Sequence, residues 1–223
     1  NKVKKCKKKV KIAMIGKYVD LLDSYKSLNE ALYHAGVINN KTVEITYLDS
    51  EKLTKRNIHQ LIEMNGILVP GGFGDRGIEG KILAAEYARV NNIPYFGICL
   101  GMQISVIEFA RNVMKLNKAN STEFDKDTKN PVVALVEEWR EDSGKRIFAN
   151  MENMGGTMRL GSQECILTKG SLAYKMYSKT SIKERHRHRY EVNGNLVGDF
   201  EKKGLAFSGQ SKEGNLMEMI ELK

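Results

Sequence analysis

The sequence predicts an α/β fold: a mainly parallel central β-sheet with helices on both faces, plus a smaller antiparallel strand region in the second half. Three observations predict it. Short, largely apolar runs recur at VKIAMIG (10–16), VEITYLD (43–49), GILV (66–69) and IPYFGI (93–98), as strands covered on both faces require. Segments of helical periodicity separate them, so strand and helix alternate four times. In the second half the alternation lapses, and PVVALVEEW (131–139), SQECILT (162–168) and LMEMIEL (216–222) read as strands.

The helices follow in order. DSYKSLNEALYHAG (23–36) offers Asp23 or Ser24 as N-cap, Tyr25, Leu28, Leu32 and Ala35 as an apolar face, and Gly36 as terminator. RNIHQLIEM (56–64) predicts a short helix. IEGKILAAEYARVNN (78–92) carries Ile82, Leu83 and Tyr87 on one side, and GMQISVIEFARNVM (101–114) is the fourth helix. NMGGTMRLGS (153–162) reads as a flexible loop.

The chain has 223 residues, enough for one large domain with its own core. No apolar run approaches 18 residues, and the basic start has no signal-peptide pattern, so neither a membrane span nor membrane binding is expected. Net charge is +9, but seven lysines lie in the first eleven residues, and without them the balance is +2. We read residues 1–9 as a basic linker or arm and 10–223 as the folded domain. Three cysteines, Cys6, Cys99 and Cys165, are odd in number and form no C-x-x-C pair. That argues against a disulfide scaffold and against a structural zinc site, and for a reducing, cytoplasmic compartment. No metal is expected.

Gly97-Ile98-Cys99-Leu100-Gly101 is the thiol version of the G-x-S-x-G nucleophile elbow. A strand must turn at once into a helix with the nucleophile at the bend, and flanking glycines remove side chains that would collide there. The helix N-terminus favours the thiolate. Its unpaired N–H groups can stabilise an oxyanion. VPGGFGDRG (69–77) ends another strand and lacks phosphate-loop spacing; a backbone N–H there could complete the oxyanion hole with that of Leu100. Cys6 and Cys165 lack the glycine bracket and read as structural or incidental.

GICLGMQ, LVPGGFG, NKANSTEF, MGGTMRLG and ERHRHRYEVN together resemble the class I glutamine amidotransferase domains of CTP synthases, from about Val10 to the last residue. The resemblance implies that Cys99 attacks the side-chain amide of L-glutamine, releasing ammonia and leaving a glutamyl thioester. It implies Gly72 and Leu100 as oxyanion donors. It places Gly72, Leu100, Gly101, Met102 and Gln103 along the substrate, Glu123 at the α-ammonium and Arg189 among the groups holding glutamine. A carboxylate and a guanidinium are what the two charges of a free amino acid call for. MGGTMRLG resembles a lid over the site. RHRHR is too short a basic run, with no aromatic platform, to make nucleic acid the expected partner; Arg185, His186, Arg187 and His188 read as solvated. The implied partner is the synthetase domain of the same polypeptide, in a full-length protein that is a homo-oligomer. That domain, absent from these residues, would take ATP and magnesium to aminate UTP to CTP. The glutaminase domain needs no cofactor, and GTP activates the family.

The pattern breaks at the base. The family carries its histidine and glutamate in an H-P-E element, and this sequence has none. Its four histidines are His34, His59, His186 and His188; the first two read as helix-surface or packing residues. We expect the C-terminal end of the domain to be missing, and a chain ending at Lys223 to hydrolyse glutamine feebly, because general-base help is worth about 10²–10⁴-fold. The alternatives are a glutamine-binding or regulatory module without catalysis and another cysteine hydrolase on the same sheet.

Overall fold

The computed structural model describes residues 8–19, 21–135, 158–212 and 216–222. The chain divides into two compact units, 1–105 and 106–223.

The first unit contains β1 (Lys8–Gly16), α1 (Lys26–Ile38), β2 (Lys41–Asp49), β3 (Gly66–Val69), α2 (Ile78–Val90), β4 (Tyr95–Gly97) and the first turns of α3 (Leu100–Asn112). The four strands form one parallel sheet in the order β2-β1-β3-β4. Alternate residues feed two cores. Ala13, Ile15, Ile67 and Val69 pack with Ala84 and Ala88 of α2. Met14 and Leu68 pack with Tyr25 and with Leu28 and Leu32 of α1. Both faces are therefore covered, as the apolar strands predicted. Connections leave in opposite directions from β1 and β3, which makes the ends of these strands a topological switch point.

Three local expectations are corrected. Neither Asp23 nor Ser24 caps α1: a 3-10 turn, Leu22–Tyr25, runs straight into it, with Tyr25 at the N-cap. Tyr25 is buried, its hydroxyl accepts the Tyr18 N–H at 3.2 Å, and a Cβ at Gly16 would strike that hydroxyl. Packing sets the helix start here. Gly36 does not end α1 either. A Cβ there would stand 2.8 Å from the Lys41 carbonyl, so the glycine serves close approach of helix and strand. The helix stops at Asn39, whose side chain bonds the Ala35 carbonyl, and Asn40 takes the left-handed conformation. RNIHQLIEM forms a 3-10 turn, Ile58–Glu63, burying only Leu61.

The second unit contains β5 (Asn120–Ser121), β6 (Pro131–Leu135), β7 (Arg159–Leu167), α4 (Leu172–Tyr177), β8 (Ser181–His188), β9 (Tyr190–Val192), α5 (Val197–Lys202), β10 (Leu205–Ser211) and β11 (Met217–Leu222). They build a three-stranded sheet, β5-β6-β9, and an antiparallel sheet, β11-β10-β7-β8. Phe200, fully buried, packs between Phe109 and Phe207, tilted to the first ring and edge-on to the second. Of PVVALVEEW, residues 131–135 are strand and 136–139 lie outside the described residues. Of the expected loop at 153–162, residues 153–157 also lie outside them, and Arg159–Ser162 are strand instead. Their ladder partners on β8, from His188 to Arg185, take up the backbone groups a loop would leave to water.

Candidate active site

The elbow has the geometry its sequence demands. β4 ends at Gly97, α3 begins at Leu100, and Cys99 between them adopts φ +53, the left-handed region that a non-glycine residue enters only under constraint. Two glycines make the bend possible by close approach. A Cβ at Gly97 would lie 2.3 Å from the Gly101 backbone, and one at Gly101 would lie 2.1 Å from the Val69 carbonyl oxygen. The Cys99 carbonyl accepts the N–H groups of Met102 and Gln103 at 3.0 and 3.2 Å, which puts the residue at the N-cap of α3. Its side chain is half-buried. Cys99 sits where the helix dipole is most positive.

The VPGGFGDRG loop lies beside the elbow. The Cβ position of Gly71 is 3.5 Å from the Cys99 Cβ, and that of Gly72 is 3.3 Å from the Leu100 side chain. The Ile98 N–H donates to the Val69 carbonyl at 3.0 Å, tying the two strand ends together. Leu100, Gly101 and Gln103 are buried and Met102 is half-buried. The remaining two sequence-predicted residues belong to the second unit. Glu123 follows β5, in a turn where its N–H donates to the Ser121 hydroxyl at 3.2 Å. Arg189 is the single residue between β8 and β9. Because β5 runs parallel to β6, and Leu135 pairs with Tyr190, both stand at the same end of the β5-β6-β9 sheet, two strands apart.

The known proteins point the same way. The description "Glutamine amidotransferase class-I" matches residues 20–223. The glutaminase domain of a Trypanosoma brucei CTPS, solved with bound acivicin, is 39% identical, with a TM-score of 0.80 over 96% of this chain and 79% of that one. The chain belongs to the class-I glutamine amidotransferase family. Its likeness to a CTP synthase glutaminase domain is the one its motifs implied.

The amidotransferase also holds two charged clusters that motif reading missed. In the first unit, Lys17 Nζ donates to the Phe73 carbonyl, and Arg76 reaches the Lys17 carbonyl at 3.4 Å and Glu51 at 3.5 Å. Both cations lie over the Tyr18 ring, 5.5 and 5.6 Å from its centroid. Lys81, buried in α2, holds the Arg76 carbonyl only loosely at 3.5 Å. Burial first, then Lys17 and Arg76, pulls its ammonium down to about 8.

In the second unit, His186, His188, Glu191, Glu218 and Arg159 meet in a largely buried network, correcting the reading of the two histidines as solvated. Arg159 Nη1 lies 3.1 Å from Glu191 Oε1 and 2.7 Å from Glu218 Oε1. The second contact is an ion pair without the alignment of a hydrogen bond. Burial pushes Glu191 up to about 8 against the pull of Arg159. Burial likewise lowers both imidazoles, His188 to about 4. Alternation along β8 was the available signal: Arg185 and Arg187 are exposed, while Ile182, Glu184, His186 and His188 share the covered face. His34 and His59 are exposed, as the sequence suggested.

Proposed function

We propose that this chain is the glutaminase domain of a CTP synthase. Cys99 sulfur attacks the side-chain amide carbon of L-glutamine, and the N–H groups of Gly72 and Leu100 receive the negative charge that develops on the amide oxygen. The tetrahedral adduct expels its nitrogen as ammonia after protonation, leaving a glutamyl thioester. Water then cleaves the thioester to glutamate and restores the thiol. Glu123 takes the substrate ammonium and Arg189 helps hold the other end. Both proton transfers need a general base, which the family supplies from its H-P-E element. Ammonia serves the ATP- and magnesium-dependent amination of UTP in a synthetase domain of the same polypeptide, with GTP as activator. Glutamine hydrolysis itself calls for no cofactor.

The observation that carries this reading is the left-handed backbone at Cys99, enforced by glycines that tolerate no side chain. Its test uses full-length protein and acivicin, the ligand named for the trypanosomal domain. One adduct per chain, on Cys99, is expected, together with glutamine-dependent ammonia release; both should vanish in Cys99→Ser. Reversible glutamine binding without an adduct would instead establish a non-catalytic module. Labelling by simple esters but not by acivicin would establish a different hydrolase.

A further inference from the structure

We propose that His186, His188 and Glu218 form a site for one divalent transition-metal ion of the zinc type. The three residues come together only through folding. His186 and His188 lie on β8 and Glu218 on β11, and these strands are the opposite edges of the β11-β10-β7-β8 sheet. The β7–β8 ribbon must curl back across the sheet for its far end to meet β11. When it does, one donor atom from each side chain falls within 4.8 Å of the others. His186 Nδ1 stands 2.8 Å from His188 Nε2 and 3.4 Å from Glu218 Oε2. Tetrahedral coordination with bonds of about 2.0–2.1 Å sets donor atoms roughly 3.3 Å apart, so small ring rotations would suffice.

The surroundings are those of a ligand set. At 2.8 Å, one of the two facing ring nitrogens must present a lone pair. The opposite nitrogen of His188, Nδ1, lies 3.3 Å from the Tyr190 carbonyl and 3.4 Å from Glu191 Oε1. Metal-bound imidazoles characteristically keep such an acceptor on the outer nitrogen, which fixes the tautomer. The Glu218 side chain is more than nine-tenths buried; Arg159 contacts one of its oxygens and leaves the other facing His186. Arg159 is shared between the carboxyl groups of Glu191 and Glu218 and is not a private partner of Glu218. Two imidazoles and one carboxylate suit zinc, cobalt or nickel better than magnesium or calcium, and leave a fourth position for water. Bound there, the ion would staple β8 to β11 in the second unit, a role independent of Cys99 and of glutamine hydrolysis.

The test is metal titration of chelator-stripped full-length protein. One Co²⁺ per chain is expected, with visible bands of nitrogen and oxygen ligation, displaced by one Zn²⁺ and accompanied by a higher unfolding temperature. His188→Gln and Glu218→Gln should each weaken binding by about 100-fold or more. X-ray absorption at the zinc edge of the unmodified protein should count two imidazoles and no sulfur, a readout that does not depend on the variants folding. Absence of saturable binding, a sulfur-to-cobalt charge-transfer band, or unchanged affinity in both folded variants would overturn the proposal.

Discussion

The two units hold their key residues by opposite means. In the first, Cys99 is fixed by exclusion: backbone presses on backbone around Gly97 and Gly101. In the second, the strand that leads to Arg189 is fixed by attraction: the Arg159 guanidinium is held between the buried carboxyl groups of Glu191 and Glu218, and Glu191 in turn meets His188. The difference teaches which substitutions each unit tolerates. An added methyl group should be ruinous at the elbow, whereas a deleted charge should be ruinous in the network.

The largest expected effect tests the second half of that contrast. Arg159→Met leaves Glu191 and Glu218 nearly sealed from water without their cation. Removing one partner of such a set costs about 3–5 kcal/mol. Denaturant unfolding of the variant should show a loss of that order, and Arg159→Met/Glu191→Gln should recover part of it. A loss under about 1 kcal/mol would mean that the network is incidental to the second unit.

Next comes the elbow. Gly101→Ala places a methyl 2.1 Å from the Val69 carbonyl, on backbone that cannot rotate away. Overpacking of this kind costs about 1–3 kcal/mol. A displacement near 1 Å in a reacting group costs about 10²-fold in rate. Acivicin labelling of Cys99 should therefore slow by at least that factor while most of the stability survives. Unimpaired labelling would break the claim that steric fit positions the thiol.

The same contrast explains what was legible in the sequence. The parallel sheet, the elbow and the neighbouring glycine loop could be read because each is local: apolar runs, helical periodicity and glycine spacing lie within a few residues of one another. The N-cap of α1 and the end of that helix could not, because Tyr25 and Gly36 obey packing on β1 and β2 rather than capping rules. In the second unit the decisive contacts are long-range. Glu218 stands 30 or more residues from either histidine, and nothing local announces their meeting. Two consecutive Arg-His repeats looked like a solvated basic run, although period-two alternation also marks a strand with one covered face. Glu123 and Arg189 were assigned by motif resemblance alone; the topology sets them at one end of a single sheet.

The two thiols among the described residues, Cys99 and Cys165, sharpen the comparison at a smaller scale. Cys165 is buried in the second unit among Leu167, Ala173 and Ile182, and burial, with Glu218 and Glu184, pushes it up to about 11. At that value the thiol holds about 100-fold less thiolate at neutral pH than an ordinary one. Iodoacetamide should modify Cys99 in the native protein and reach Cys165 only on unfolding, as peptide mass spectrometry can record. Equal rates would remove the distinction between the half-buried sulfur at the bend and the packed one.

Lys81 gives the smallest effect and the most pointed one, because it is a buried charge in the unit that should not need any. Its ammonium is desolvated and flanked by Lys17 and Arg76, with Glu51 only partly offsetting them, and among the described residues it donates one long bond, to the Arg76 carbonyl. With a native value near 8 against 10.5 in the open chain, the unfolded state binds more protons between those limits. Stability should therefore rise as pH climbs from about 8 to 10.5 and stay depressed at neutrality. Lys81→Met keeps the length of the side chain and discards the charge. The variant should gain roughly 1–3 kcal/mol at pH 7, with the alkaline rise in unfolding temperature flattened. If instead it loses stability at pH 7, the 3.5 Å bond to Arg76 anchors the 70–77 loop after all, and the first unit too relies on attraction. If it gains, deleting a buried charge has opposite signs in the two halves of one chain, since only in the second does that charge have partners close enough to offset its lost water.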